Sequence, residues 1–133
     1  MHEVAEFREY RAADLDAVIE LCAKEGWRSY TAERDRTSRV LTAPGVVTVV
    51  ATIKGDIVGF AYFQSDGAIQ AHLSLLVVDE GHRREGIARA LVTRAFADLH
   101  ATRIDLITDS ADAFYRALPH QEKTGFRLYA DPQ

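Results

Sequence analysis

Apolar positions along the chain follow a helical rhythm at first, then alternate, then return to a helical rhythm. Residues 4–10 read as a strand. Asp14 precedes Leu15, Val18, Ile19 and Cys22, which share one helical stripe, so Asp14 reads as an N-cap. Gly26 ends that helix. Residues 31–41 predict a second helix in which Glu33, Arg34, Asp35, Arg36 and Arg39 leave only Val40 and Leu41 clearly apolar. Such a helix covers something rather than forming the core. From Val46 the period changes. Val46–Ile53 is β-branched, Lys54-Gly55-Asp56 supplies a turn, and residues 57–64 and 68–78 follow as strands joined by Ser65-Asp66-Gly67. Turns this short predict an antiparallel meander. Strict alternation in the third strand places Ile69, Ala71, Leu73, Leu75 and Val77 on one face. Gln70, His72, Ser74, Leu76 and Val78 take the other.

After residues 79–82 comes the strongest helical pattern, with Ala88, Leu91, Val92, Ala95, Phe96 and Leu99 on one stripe. Residues 103–108 read as a strand, and the intervening helix predicts a parallel crossover. A short helix over 111–118 stops at Pro119, and residues 125–129 read as a last strand. The expectation is one domain over residues 1–133, a mixed α/β sheet with an antiparallel first half and a βαβ second half.

Composition narrows the function. The chain has 133 residues, 47% hydrophobic and 27% charged, an ordinary globular balance. It has no run of about 18 apolar residues and no apolar signal segment behind its acidic N-terminus, so no membrane partner is expected. Cys22 is the only cysteine, which excludes an internal disulfide and fits a reducing cytoplasm. It lies on the apolar stripe of its helix and reads as core. Sixteen Lys and Arg against twenty Asp and Glu give a net charge of −4, so nucleic acid is not expected and any anion site is local. The five histidines show no metal-ligand spacing, so no metal is expected. No Gly-x-Ser-x-Gly elbow is present for a hydrolase.

The informative stretch runs from Leu75 to Ala88: an apolar strand, a short basic loop, and a helix beginning near Gly86. Free amides and the positive end of the helix dipole meet there, which makes a natural phosphate site. Arg83 and Arg84 add positive charge, and Gly86 lets a ligand approach the backbone. Residues 81–88 have the two glycine positions of a Walker A loop but lack its Lys and Ser/Thr, so nucleotide hydrolysis is poorly supported.

Arg83-Arg84-Glu85-Gly86-Ile87-Ala88 resembles the Arg/Gln-x-x-Gly-x-Gly/Ala signature of the GNAT superfamily of acyl-CoA-dependent acyltransferases. The order of elements is similar to the GNAT fold from about Val4 to Tyr129. That resemblance implies a GNAT-like mixed sheet with helices on both faces and acetyl-CoA as acyl donor. Amides of Arg83, Arg84, Glu85, Gly86, Ile87 and Ala88 would wrap the coenzyme A pyrophosphate. Backbone groups in Leu76-Val77-Val78, those of Leu76 and Val78 in particular, would pair with the pantetheine arm as though it were an added strand. Tyr115 matches the tyrosine that protonates the departing thiolate in many members, and a phenol suits that task because it is protonated at neutral pH. The family has Gly-Phe about four residues after this tyrosine, whereas Gly125 follows Tyr115 by ten.

Some members carry a glutamate that deprotonates the amine; His72 occupies that position, and a neutral imidazole can accept the proton. Ser74 shares its face. The connection between the first two helices, where the family shapes its acceptor pocket, holds Trp27 and Tyr30. With Cys22 far from the signature, direct attack by a primary amine in a ternary complex is expected. The rival reading is a non-catalytic acyl-CoA-binding or sensing domain. GNAT domains commonly finish with two strands, but only residues 125–129 are available here. The unpaired sheet edge predicts a homodimer.

Overall fold

The computed structural model describes residues 4–131. Five strands lie in sequence order in one sheet: β1 (Glu6–Glu9), β2 (Val46–Ile53), β3 (Asp56–Ser65), β4 (Gln70–Val78) and β5 (Arg103–Asp105). The first four are antiparallel and β4–β5 is parallel. The meander and the crossover are therefore as the pattern predicts. Helices α1 (Leu15–Lys24) and α2 (Arg34–Leu41) cover one face; α3 (Ile87–Leu99) and the short α4 (Asp112–Arg116) belong to the other.

Two cores result, one on each side of the sheet. Val18, Leu21, Cys22 and Leu41 pack on Val50, Phe60, Tyr62 and Val77. On the opposite side Ile87, Leu91, Ala95 and Leu99 of α3 pack on Val49, Ala61, Phe63 and Leu73. Their i, i+4 spacing makes a narrower stripe than the one expected, and Phe96 is left exposed. Helix α2 behaves as its composition suggests. Only Thr37 and Leu41 are buried, and the Thr48 hydroxyl on β2 donates to the Leu41 carbonyl at 2.9 Å.

Five expectations need correction. Asp14 does not cap α1 with its side chain. Its buried carboxylate accepts the Arg8 guanidinium at 2.8 and 2.9 Å and the Arg11 amide at 2.8 Å. It thereby closes a capping box around the short turn Ala12–Asp14. Strand β5 stops at Asp105 rather than 108, and α4 is one residue shorter at its start and two at its end than residues 111–118. Residues 125–129 form no strand. Phe126, Leu128 and Tyr129 are exposed, because β5 offers so short an edge for them to pair with.

The fifth correction matters most. Alternation in β4 is broken at Ser74: Tyr62 pairs with Leu75 and Phe63 with Leu73, so Ser74 is the extra residue of a β-bulge. Leu75 and Val77 are thereby moved to the α1/α2 core, while Leu76 and Val78 pack with Ala71 and Leu73 on the α3 side. A one-residue slip exchanges the faces of everything after it.

Candidate functional site

The bulge separates two strands. Strands β4 and β5 pair only at Gln70–Arg103, Ala71–Ile104 and His72–Asp105; above that point β4 continues alone. The Asp79 amide donates to the Val58 carbonyl at 2.7 Å, so odd-numbered residues at the end of β4 bond toward β3. Leu76 and Val78 turn their N–H and C=O groups to the side that β5 has left. No strand pairs with that strip of backbone, although the Val78 carbonyl accepts from Arg83 Nε at 3.1 Å.

The strip leads into the basic loop. The turn Glu80–His82 is followed by extended Arg83, and Arg84 (φ 65°) and Gly86 (φ 81°) are both left-handed. Gly86 is the N-cap of α3 and no side chain caps that end. The first intrahelical bond is donated by Ala90 to the Gly86 carbonyl, which leaves the amides of Gly86, Ile87, Ala88 and Arg89 without intrahelical partners. A Cβ at Gly86 would meet nothing within 4 Å, so the space beside Gly86 is open. Such a concavity of N–H groups at a helix start takes anions.

The two arginines of the loop differ. Arg83 turns back: its Nε donates to the Val78 carbonyl at 3.1 Å and its Nη2 to Glu25 at 3.1 Å. With the Lys24–Asp79 pair at 2.9 Å, this fastens the end of α1 to the loop. Arg83 is therefore engaged within the protein, and the charge expected of the two arginines toward a phosphate would have to come from Arg84. Glu25 and Lys24 were not singled out in the sequence; surface charges on a helix end carry no signal of such a long-range tie.

The remaining candidates fall on opposite faces. Tyr115 on α4 packs against the α3-side core that also holds Leu76, with its ring edge-to-face on Phe114 at a centroid distance of 4.9 Å. Burial raises its phenol above the ordinary tyrosine value. His72 lies on the α1/α2 side and lines an open pocket of about 660 Å³ with Gln64, Asp66, Gln70 and Asp105 beneath Val40 of α2. Trp27 and Tyr30 do not line that pocket. They pack half-buried on the same core, where the Tyr30 hydroxyl meets the buried Tyr62 hydroxyl at 2.5 Å. Burial and that neighbour hold the Tyr62 phenol well above its usual range. Cys22 is buried, its thiol pushed up to about 11 by burial, and so is no nucleophile. Among the described residues no group of three or more His, Cys, Asp and Glu is arranged to hold a metal, and no helix is long and apolar enough to cross a membrane.

Comparison with known proteins agrees with this architecture. The family described as "Acetyltransferase (GNAT) domain" matches residues 8–133. The chain belongs to the GNAT acetyltransferase family. This GNAT chain has no significant match among curated protein sequences. Among solved structures it resembles a GNAT family acetyltransferase from Streptococcus pneumoniae, at 20% identity and a TM-score of 0.79, with 97% of this chain and 100% of that one covered. It resembles the ribosomal-protein-alanine N-acetyltransferase of Brucella melitensis biovar Abortus at 16% identity and 0.78, covering 96% and 99%. A third neighbour is AAC(6')-Iy in complex with a bisubstrate analogue, at 18% and 0.77, covering 98% and 99%. Likeness at such identities shows the fold; the family match makes this GNAT protein an acyltransferase, of the class that uses acetyl-CoA.

Proposed function

We propose that the protein moves acetyl from acetyl-CoA to a primary amine by direct attack in a ternary complex. The observation that carries this reading is the stretch of β4 at Leu76 and Val78, which no strand pairs beyond His72, running into the helix-start amides around Gly86. Pantetheine adds to that strip as an extra strand, and the pyrophosphate is taken by amides from Arg84 to Ala88, with Arg84 as the free cation. Val77 keeps the strip straight by bonding toward β3, and Glu85 and Ile87 contribute through their backbone. The thioester then lies in the gap between β4 and β5.

The two faces of the sheet divide the chemistry. The amine approaches from the α1/α2 side, past Trp27 and Tyr30, where His72 takes the ammonium proton. The freed lone pair attacks the thioester carbonyl, forming the C–N bond. As the tetrahedral intermediate collapses, the nitrogen gives up its surplus proton to solvent, the C–S bond breaks and Tyr115, on the α3 side, donates its proton to the thiolate. Solvent then returns that proton. No step uses a protein nucleophile, in keeping with the buried, high-pKa Cys22.

Two neighbours are named as aminoglycoside acetyltransferases and one as acting on a ribosomal-protein alanine, which makes kanamycin and a peptide with an N-terminal alanine suitable first acceptors. The test is release of coenzyme A thiol with each acceptor against acetyl-CoA alone. Tight acetyl-CoA binding with no amine-dependent thiol release would favour an acyl-CoA sensor instead. The exposed Ile107, Phe126, Leu128 and Tyr129 and the short β5 support a homodimer that covers the sheet edge.

A further inference from the structure

Tyr62 stands apart among the residues of the α1/α2 core. It is 2% exposed, yet its hydroxyl is not left unsatisfied: it meets the Tyr30 hydroxyl at 2.5 Å, with the two rings edge-to-face at 5.9 Å. Tyr62 also flanks the bulge, pairing with Leu75 just past Ser74, whose hydroxyl accepts from Gln64 Nε2 at 3.4 Å. Tyr30 is fixed a second time by its backbone, whose carbonyl accepts the buried Thr37 hydroxyl at 2.7 Å. The connection between α1 and α2 is therefore held at one residue by two buried hydroxyls, one from α2 and one from β3. The second of these sits against the bulge that opens the sheet. A phenylalanine would fill the same core volume; only the hydroxyl needs the bond.

Resting on the acetyltransferase reading above, we infer that Tyr62 is a positioning residue. It acts through Tyr30 to hold the α1–α2 connection at a fixed distance from the gap between β4 and β5, so that this wall of the acceptor's path is formed before the amine arrives. Acetyl-CoA binds from the α3 side and does not depend on this bond. The amine does, because its approach runs past Tyr30. Preforming the wall removes the ordering cost from acceptor binding.

The test uses Tyr62→Phe, Tyr30→Phe and the double variant of the full chain, which keep both rings and differ only in hydroxyls. Hydrogen exchange without ligand should quicken at the amides of Tyr30, Thr31 and Ala32, which bond to Trp27 and Arg28 carbonyls, and stay unchanged in residues 83–89. With kanamycin and the N-terminal alanine peptide as acceptors, KM for the better one should rise about three- to tenfold, the worth of one hydrogen bond. The acetyl-CoA Kd should stay within about twofold. The double variant should be no worse than either single one, since both remove the same bond. Unchanged exchange at residues 30–32 overturns the proposal. So does an acceptor KM that stays put, or that rises only in step with the acetyl-CoA Kd, or multiplicative effects in the double variant. A parent that acetylates neither amine contradicts the acetyltransferase reading instead, and the exchange result still decides whether Tyr62 holds the connection.

Discussion

Replacing Gly86 with aspartate probes the coenzyme site at the point where the structure leaves most room. Gly86 has φ 81° and ψ 6°, so any side chain there bears the left-handed strain of about 1–2 kcal/mol. Its added Cβ would contact nothing within 4 Å, and no packing is lost; the fold should survive with a modestly lower Tm. The larger effect is electrostatic. A carboxylate at this N-cap lies about 5 Å from an oxyanion held by the neighbouring amides, and at an effective dielectric near 20 that repulsion is roughly 3 kcal/mol. The carboxylate also competes for the same N–H groups, as Asp does at any N-cap. Acetyl-CoA affinity should fall at least about 100-fold by calorimetry. Gly86→Ala carries the strain without the charge, so it should lose far less. Unchanged affinity in a folded Gly86→Asp protein, or equal losses in both variants, would refute the reasoning.

Three further substitutions test other parts of the account. Tyr115→Phe should lower kcat at least about 100-fold with little change in acetyl-CoA affinity, as expected for a general acid; a fall below about fivefold would show the hydroxyl dispensable. Because burial raises the Tyr115 phenol, the parent should lose no activity through its ionisation until pH rises above about 10. His72→Ala should slow turnover most near neutral pH and recover as rising pH supplies free amine, whereas an identical pH–rate profile removes His72 from the reaction. Asp14→Ala breaks a largely buried pair with Arg8 and should cost about 2–3 kcal/mol in urea unfolding at neutral pH. The Arg8 hydrogen bond depresses the folded-state pKa of Asp14. Its stabilisation is thus complete above the unfolded value of about 3.9 and fades as pH falls through the lower folded value. Parent and variant should converge in acid.

The sheet order was readable because each strand of the meander is bounded by a turn that only a hairpin explains, and the helix at Ile87–Leu99 separates two strands that must then run parallel. The bulge was not readable. Leu75, Leu76, Val77 and Val78 are all apolar, so sliding the alternation by one residue leaves no polar side chain on a buried face to betray it. Asp14 misled because Asp before an apolar stripe marks an N-cap, and the same spacing from Arg11 makes it the acid of a capping box. The segment over 125–129 alternates like a strand, but its pairing depends on a neighbour whose length the local pattern does not encode. The loop at the start of the helix Ile87–Leu99 was legible because backbone geometry is written in glycine positions, here the left-handed Gly86. The tie from Arg83 to Glu25, and Tyr62 beneath Tyr30, depend on residues 58 and 32 positions apart, which no local pattern carries.

The most direct test of the central claim is mass spectrometry of the acceptor after incubation of the protein with acetyl-CoA and kanamycin or the N-terminal alanine peptide, with free thiol counted in the same sample. The account predicts an acceptor heavier by one acetyl group, one thiol released per acetyl transferred, and no acetyl left on the protein when the amine is omitted. Saturable acetyl-CoA binding with both acceptors unmodified, or an acetylated protein that forms without amine and passes its acetyl on, would contradict it.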